Sequence, residues 1–172
     1  MSAFRLFGKS AAIEAADRIL LAVSQAARDP DLFGDDRAPD TLTGRFELVT
    51  AFAAIALLRL GTAPDADRVS QVFTDRLFRH FDAGLRESGV GDLSVAKRMK
   101  ALAGAFYGRL GAYGAAFDDE TALSAALSRN IWNAEGAAFA SPLAARLRKV
   151  RARFAEGAAQ ALEDPAAWSP EG

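Results

Sequence analysis

The chain has 172 residues and a net charge of −1, and 51% of its residues are hydrophobic against 25% charged. This length and balance predict one soluble globular domain spanning residues 1–172 with a sizeable core. The chain has no cysteine and one histidine, His80, which excludes disulfides and cysteine-ligated zinc and predicts no metal site. The sequence shows no pair of a nucleophile and a general base, so no catalytic centre is predicted. The near-neutral charge gives no reason to expect DNA binding.

Neither the N-terminus nor the most apolar run has the features of a secretion signal or a membrane span. Residues 1–21 lack a continuous apolar stretch followed by a small-residue cleavage site. Residues 46–60 contain Glu47 and Arg59 and are shorter than the roughly 20 residues that a span requires. The sequence therefore predicts a cytoplasmic protein, soluble or peripheral to a membrane, with residues 46–60 as a buried core helix.

Helical periodicity dominates the chain, and no segment shows the alternation typical of a β-strand. The pattern predicts an all-α fold, a single compact domain of six to seven helices. In chain order the helices are expected at 13–27, 45–60, 65–81, 93–117, 119–132 and 142–162, with a loose tail at 163–172. An acidic loop at 29–40 separates the first two. Ser141-Pro142 predicts the start of the last helix, as an N-cap followed by a first-turn proline.

Short polar and glycine-containing segments precede several of these helices. Asp40-Thr41 and Gly44-Arg45 precede the apolar helix, and an acidic run at 118–120 suits the positive N-terminus of the helix at 119–132. Residues 89–92, Gly-Val-Gly-Asp, precede the long helix. Gly89 and Gly91 are expected to form the turn and Asp92 to cap the helix. This is not a phosphate-binding loop, because the lysine and serine or threonine that end such a loop are missing.

The long helix predicted at 93–117 has two unlike faces. Large apolar residues recur with the period of an α-helix and predict a stripe that faces the core: Val95, Met99, Leu102, Phe106, Leu110, Tyr113 and Phe117. The opposite face carries small residues, which we call the small-residue strip: Ala101, Gly104, Gly108, Gly111, Ala112 and Ala115. Since glycine in a helix costs about 1 kcal/mol relative to alanine, the strip indicates that another backbone approaches closely.

Two interpretations of the small-residue strip remain open from the sequence. Another helix of the same domain packs there, or the strip forms a groove for the helix of a partner protein, and both can hold along different parts of it. The partner hypothesis assigns the backbone approach to Gly104, Gly108 and Gly111. It assigns polar contacts to residues along the rim of the strip: Lys97, Lys100, Tyr107 and Arg109.

The last predicted helix contains a second basic region. Five basic residues, called here the α6 basic cluster, spread over the side opposite its apolar residues: Arg146, Arg148, Lys149, Arg151 and Arg153. A solvated basic face is one interpretation. Contact with ribosomal RNA, an acidic protein or lipid headgroups is the other, and it makes a ribosome- or nucleic-acid-binding module the second functional hypothesis. His80 is expected to be a packed histidine and not a ligand or general base.

Two segments of the chain together resemble the ubiquinol–cytochrome c chaperone family. The first is PDTLTGRFELV at 39–49, and the second is LRESGVGDLSVAKRM at 85–99, continuing into AFYGRLGAY at 105–113. A weaker match is ALSRNIW at 126–132, so that the likeness spans a core motif region at 38–132. The positions that match the family motif are Asp40, Thr41, Gly44, Arg45, Phe46, Leu85, Arg86, Glu87, Gly89, Gly91, Asp92, Val95, Lys97, Met99, Lys100, Tyr107, Gly108, Arg109, Tyr113, Arg129 and Asn130.

The resemblance implies an all-helical assembly chaperone without enzymatic activity. Mitochondrial members of the family help to assemble respiratory complex III. They bind newly made cytochrome b before haem insertion is finished, near the ribosome exit and together with a small partner protein. The form and length of this chain are more similar to the bacterial branch. Family members often have a histidine where this chain has Phe52, so no role of that histidine carries over.

For this chain the resemblance implies cytochrome b, or a closely related nascent membrane protein, as the partner. The ribosome exit region and the inner face of the cytoplasmic membrane are further expected contacts. No cofactor and no DNA partner are implied.

Overall fold

A computed structural model describes residues 9–155 and 157–169, and these residues form six α-helices. The helices are α1 (Lys9–Ala27), α2 (Leu42–Thr62), α3 (Asp67–Glu87), α4 (Asp92–Ala116), α5 (Glu120–Trp132) and α6 (Ala140–Ala155). Short 3₁₀ helices lie at Pro30–Leu32, Ala159–Glu163 and Pro165–Trp168. Within the described ranges there is no β-strand, only an isolated bridge between Phe33 and Ala38. The predicted all-α class is confirmed, while part of the N-terminal segment, residues 1–8, lies outside the described residues.

Helix α2 forms the centre of the fold. It packs against α1, α3, α4, α5 and α6, and every residue from Phe46 to Ala56 is buried. A helix that is apolar on all sides is stable only when other elements surround it, and its many alanines let those neighbours approach closely. The predicted core helix at 45–60 is therefore confirmed. No helix of the described residues is both long and apolar enough to cross a membrane.

The start of α2 is fixed by its cap and by one close backbone contact. The Thr41 hydroxyl accepts a hydrogen bond from the backbone N–H of Gly44 at 3.1 Å, as an N-cap residue does. A Cβ atom at Gly44 would lie 2.0 Å from the carbonyl oxygen of Pro39, so only glycine fits there. Helix α5 begins similarly, since the Asp119 carboxylate accepts from Thr121 N at 2.8 Å and Ala122 N at 3.1 Å.

The turn between α3 and α4 uses its two glycines differently. Gly89 has a left-handed φ of 81°. Its N–H donates to Arg86 O, and Val90 N–H donates to Leu85 O, the paired bonds of a Schellman motif. Gly91 has an ordinary φ of −63° and occupies the N-cap position of α4. The predicted cap at Asp92 is therefore wrong by one position, since Asp92 is already helical, and its side chain lies outside the described part.

The C-terminal region differs from the prediction. Helix α6 begins at Ala140, which places Ser141 inside the helix, and it ends at Ala155 and not near Leu162. The predicted loose tail is wrong for residues 163–169, because Trp168 is buried among aromatic rings, with centroids 4.8 Å from Phe154 and 6.3 Å from Phe52. Its indole N–H donates to Leu162 O at 3.0 Å. Burying so large an apolar surface holds the segment against the core.

Candidate functional site

Helix α4 has the two faces predicted from its sequence. Val95, Phe106, Tyr113 and Phe117 are buried, and the remaining members of the stripe are partly buried and pack against the core. Tyr113 accepts a hydrogen bond from Asn130 Nδ2 at 3.3 Å, which joins α4 to α5. Burial raises the pKa of the Tyr113 hydroxyl, although the bond from Asn130 opposes the rise. This face of α4 therefore serves the fold.

The small-residue strip is exposed along its whole length. A Cβ atom built at Gly104, Gly108 or Gly111 would meet no atom within 4 Å. The interpretation that another helix of the same domain packs on these glycines is therefore wrong. The close approach that α4 makes inside the domain occurs at Gly114, where a Cβ atom would lie 3.3 Å from Leu58 Cδ2.

The rim of the strip contains free charges and one exposed aromatic ring. Lys97 and Lys100 are exposed, and neither forms an ion pair with any residue that the structure describes. Tyr107 is 56% exposed and lies beside Phe106 and Phe78, with ring centroids 5.4 Å and 6.0 Å away. The rim can therefore offer a partner both positive charge and an amphipathic ring.

Arg109, the fourth predicted rim residue, is turned inward. Its guanidinium forms a two-pronged pair with Glu47, with Nη2 donating to Oε1 at 2.6 Å and Nε to Oε2, while Nη1 donates to Ala105 O at 3.2 Å. The side chain of Glu47 is 2% exposed and that of Arg109 is 21% exposed. Loss of hydration raises the pKa of Glu47, and the contact with Arg109 opposes that rise.

Beside the strip lies a cleft of about 860 Å³ between the end of α1, the start of α2, the end of α3 and the middle of α4. We call it the motif cleft, because both segments that resemble the chaperone family contribute to its lining. Ala101 belongs to both the cleft lining and the exposed strip, so the two surfaces adjoin along α4. The apolar lining includes Leu42, Phe46, Val49, Phe81, Leu85 and Leu102.

The structure separates the predicted motif residues into three groups. Arg45, Phe46, Leu85, Glu87 and Arg109 line the motif cleft. Asp40 lies beside it and pairs with Arg45 at 2.6 Å, which lowers the pKa of the Asp40 carboxyl. Asn130 holds Tyr113 in the interior, whereas Arg129 is exposed on α5 and lines no part of the cleft.

Sequence reasoning missed five polar residues of the cleft lining: Arg28, Thr43, Glu47, His80 and Arg98. Arg28 directly follows the last residue of α1 and lies outside both motif segments. Arg98 lies within the second segment but is rotated away from the small-residue strip. One feature of the sequence could have indicated the cleft. Both motif segments lie at predicted helix ends, and helix ends can meet at one end of a bundle.

His80 is half-buried in the cleft wall. Burial lowers the pKa of its imidazole, the nearby Arg28 charge lowers it further, and Glu87 acts in the opposite direction. Among the described residues no group of three or more His, Cys, Asp or Glu side chains could hold a metal ion. The expectation of a partly buried, packed histidine is confirmed by its burial.

The arginines of the α6 basic cluster form contacts within the domain, which corrects the interpretation of that side as a face that contacts solvent alone. Arg146 pairs with Asp29 at 2.7 Å, and Arg151 with Asp118 at 2.6 Å. Arg148 pairs with Glu120 at 3.0 Å and also donates to Phe117 O at 3.0 Å. Arg153 donates to Ser169 O and to Ala167 O. Four arginines of the cluster are therefore engaged in contacts that close the fold.

The fold and its surfaces define an all-helical protein with an open apolar cleft and an adjoining exposed helix face. The family model for the ubiquinol-cytochrome C chaperone matches residues 36–167, and the chain belongs to that family. The match extends beyond the predicted region at 38–132 and includes most of the packed C-terminal segment.

A solved structure supports the same assignment. The Cbp3 homolog from Brucella abortus, a bacterial protein, is 40% identical, with a TM-score of 0.78 over 90% of this chain and 88% of that one. A comparison with curated proteins found no match. Family membership supports a chaperone role in the assembly of respiratory complex III, and such a role implies no catalysis.

Proposed function

We propose that this protein is an assembly chaperone that binds newly synthesised cytochrome b, or a closely related nascent membrane protein, during biogenesis of the cytochrome bc complex. Its place of action would be the cytoplasm, at the inner face of the cytoplasmic membrane and near the ribosome exit. Family membership supports the chaperone class. The observation that carries the proposal is the uncovered small-residue strip, which adjoins the motif cleft.

The strip is suited to the close approach of a client helix. Small residues let two helix backbones come near enough for extensive van der Waals contact, which is how helices of membrane proteins associate. In the proposal a client helix lies along Gly104, Gly108 and Gly111, and Lys97, Lys100 and Tyr107 contact its polar groups. Arg109 contributes from the cleft side, where Glu47 holds its guanidinium. Covering apolar client surface in this way prevents aggregation until the partner subunits arrive.

The test is the double substitution Gly104→Leu and Gly108→Leu. Both positions open onto free space, and leucine is a better helix former than glycine, so the free energy of unfolding should rise by about 1 kcal/mol per substitution. Capture of cytochrome b should nevertheless fall to background, because the leucine side chains would hold a client helix away. Affinity capture from cells that make the cytochrome bc complex, together with urea unfolding, measures both effects.

Gly61→Leu is the matched control. Gly61 is also helical and exposed, with no atom within 4 Å of a built Cβ, but it lies on α2 away from the strip. It should raise stability and leave capture unchanged. Undiminished capture by the double variant would exclude the strip as the client surface. Capture with the unsubstituted protein is also compared between cells that make cytochrome b and cells that lack it. If cytochrome b is not enriched from the cells that make it, the proposed client is refuted.

The ribosome- or nucleic-acid-binding alternative loses its support in the structure. It depends on the α6 basic cluster, and the four arginines of that cluster form ion pairs or donate to backbone carbonyls within the domain. Binding to phosphates would have to replace those contacts.

A further inference from the structure

The motif cleft combines an apolar floor with an excess of positive charge. Four arginines and two glutamates line it, which leaves two positive charges in excess on a chain whose net charge is −1. The floor includes Phe46 and Phe81, whose rings meet edge to face with centroids 4.9 Å apart. Leu42 lines the same cleft and is 41% exposed.

Two of the four arginines are available to a ligand. Arg109 is held by Glu47, and Arg45 by Asp40. Arg28 and Arg98 are exposed, and neither guanidinium forms an ion pair with any side chain that the structure describes. The positive charge of Arg28 reaches into the cleft, because it contributes to the lowered pKa of His80.

The two free arginines belong to separate walls of the cleft. Arg28 directly follows Ala27, the last residue of α1, and Arg98 lies in the second turn of α4. Helices α1 and α4 each pack on α2 and α3, so α2 and α3 form the floor between them. A ligand that fills the cleft therefore meets apolar side chains beneath it and a guanidinium from each wall.

We infer that the motif cleft binds an acidic amphipathic helix of a protein partner. Its apolar face would lie on Phe46, Phe81 and Leu102, and its carboxylates would pair with Arg28 and Arg98. A small anion would leave the apolar floor uncovered. An anionic bilayer favours a basic helix face that lies flat in the interface, whereas these arginines border a concave cleft. A helix laid in an apolar groove satisfies both features.

The inference rests on the proposed function only for the source of the helix, which would be the client. The chemistry of the cleft is testable without that client. The probes are two fluorescein-labelled amphipathic peptides of about 18 residues, with the same leucine face and with either glutamates or lysines on the polar face.

Fluorescence anisotropy with the full chain should show the glutamate peptide binding about tenfold more tightly than the lysine peptide, and more weakly as salt rises. The double substitution Arg28→Glu and Arg98→Glu should reduce affinity for the glutamate peptide about tenfold, as expected for the loss of two partly exposed ion pairs. The control is Arg68→Glu with Arg79→Glu, an equal charge change at two exposed positions of α3 outside the cleft lining. It should leave that affinity within about twofold.

Equal affinity for the two peptides, binding of neither, or equal weakening by both double variants would overturn the inference. So would co-sedimentation with phosphatidylglycerol vesicles that requires Arg28 and Arg98 while the glutamate peptide does not bind, since the cleft would then be a lipid site. Cytochrome b capture, run in parallel, separates the two proposals. Arginine-dependent peptide binding without cytochrome b capture would refute the client alone, and capture without such binding would refute the acidic helix alone.

Discussion

The α6 basic cluster and the motif cleft are both rich in arginine, yet their arginines do different things. On α6, Arg146, Arg148 and Arg151 meet carboxylates from the loop at 29–40 and the start of α5. In the cleft, Arg28 and Arg98 meet no carboxylate among the described side chains. The charge of a cluster therefore says little about its role. A basic cluster whose charges are already paired within the fold has a structural role, whereas a cluster with unpaired charges is available to bind a partner.

The largest loss of stability is expected in the C-terminal segment that packs against α6. Trp168 is 1% exposed and packs on Phe154 and Phe52. Trp168→Ala should lower the free energy of unfolding by about 3–5 kcal/mol, the range for removal of a buried large aromatic side chain. Urea unfolding measures the loss, and peptide binding per folded molecule should be unchanged. A loss below about 1 kcal/mol would show that the packing of Trp168 contributes little to the stability of the fold.

A smaller loss is expected where the cleft wall meets the core. Arg109→Met leaves the Glu47 carboxylate buried without its cation, which should cost about 3 kcal/mol near neutral pH. Urea unfolding of the variant and the unsubstituted protein gives the difference. Glu47→Gln combined with Arg109→Met removes the unpaired charge, so it should recover part of that loss. A double variant no more stable than the single one would show that an unpaired carboxylate is not the cause.

The same variant has an expected pH dependence. Burial raises the pKa of Glu47 in the folded state, and without Arg109 nothing opposes that rise. An acid whose pKa is raised on folding destabilises the fold when it is ionised, and this penalty disappears as the pH falls through the folded pKa. The stability deficit of Arg109→Met should therefore be smaller at about pH 5 than at about pH 8. A deficit independent of pH would mean that lost packing of the arginine side chain dominates.

The smallest effect is expected at the exposed pairs of α6. Arg148→Gln removes a pair with Glu120, and Arg151→Gln removes a pair with Asp118. Each should lower the free energy of unfolding only slightly, because such pairs are well hydrated. Neither substitution should alter binding of the acidic peptide, in contrast to Arg28→Glu with Arg98→Glu. Salt-sensitive RNA binding that both α6 substitutions weaken would restore the nucleic-acid hypothesis.

Features set by neighbouring residues were predictable from the sequence. The cap at Thr41, the acidic start of α5 at Asp119 and the buried stripe of α4 all depend on positions within a few residues of one another. Two predictions were wrong at helix ends: the cap at Asp92 and the end of α6 near Leu162. At a helix end, alternative boundaries one or a few residues apart differ little in free energy. The burial of Trp168 depends on contact with Phe52, far away in the chain, and no local pattern shows it.

The candidate site was harder to predict because its parts come from distant segments. The sequence showed the small-residue strip but could not show whether it was covered. Nor could it show that Arg146 meets Asp29, 117 positions away. Arg28 and Arg98 become one feature only when α1 and α4 stand on either side of α2 and α3. The family resemblance marked the second and fourth helices as important without placing the cleft between them.

Helix α4 has a lower helix propensity than its structure requires. Its exposed glycines at 104, 108 and 111 have room for any small side chain, and alanine at each would add about 1 kcal/mol of helix propensity. The chain retains glycine where nothing inside the domain requires it. A directed search for more stable variants would therefore select substitutions on this face first, and a protein improved in that way would be the one most at risk of losing its activity.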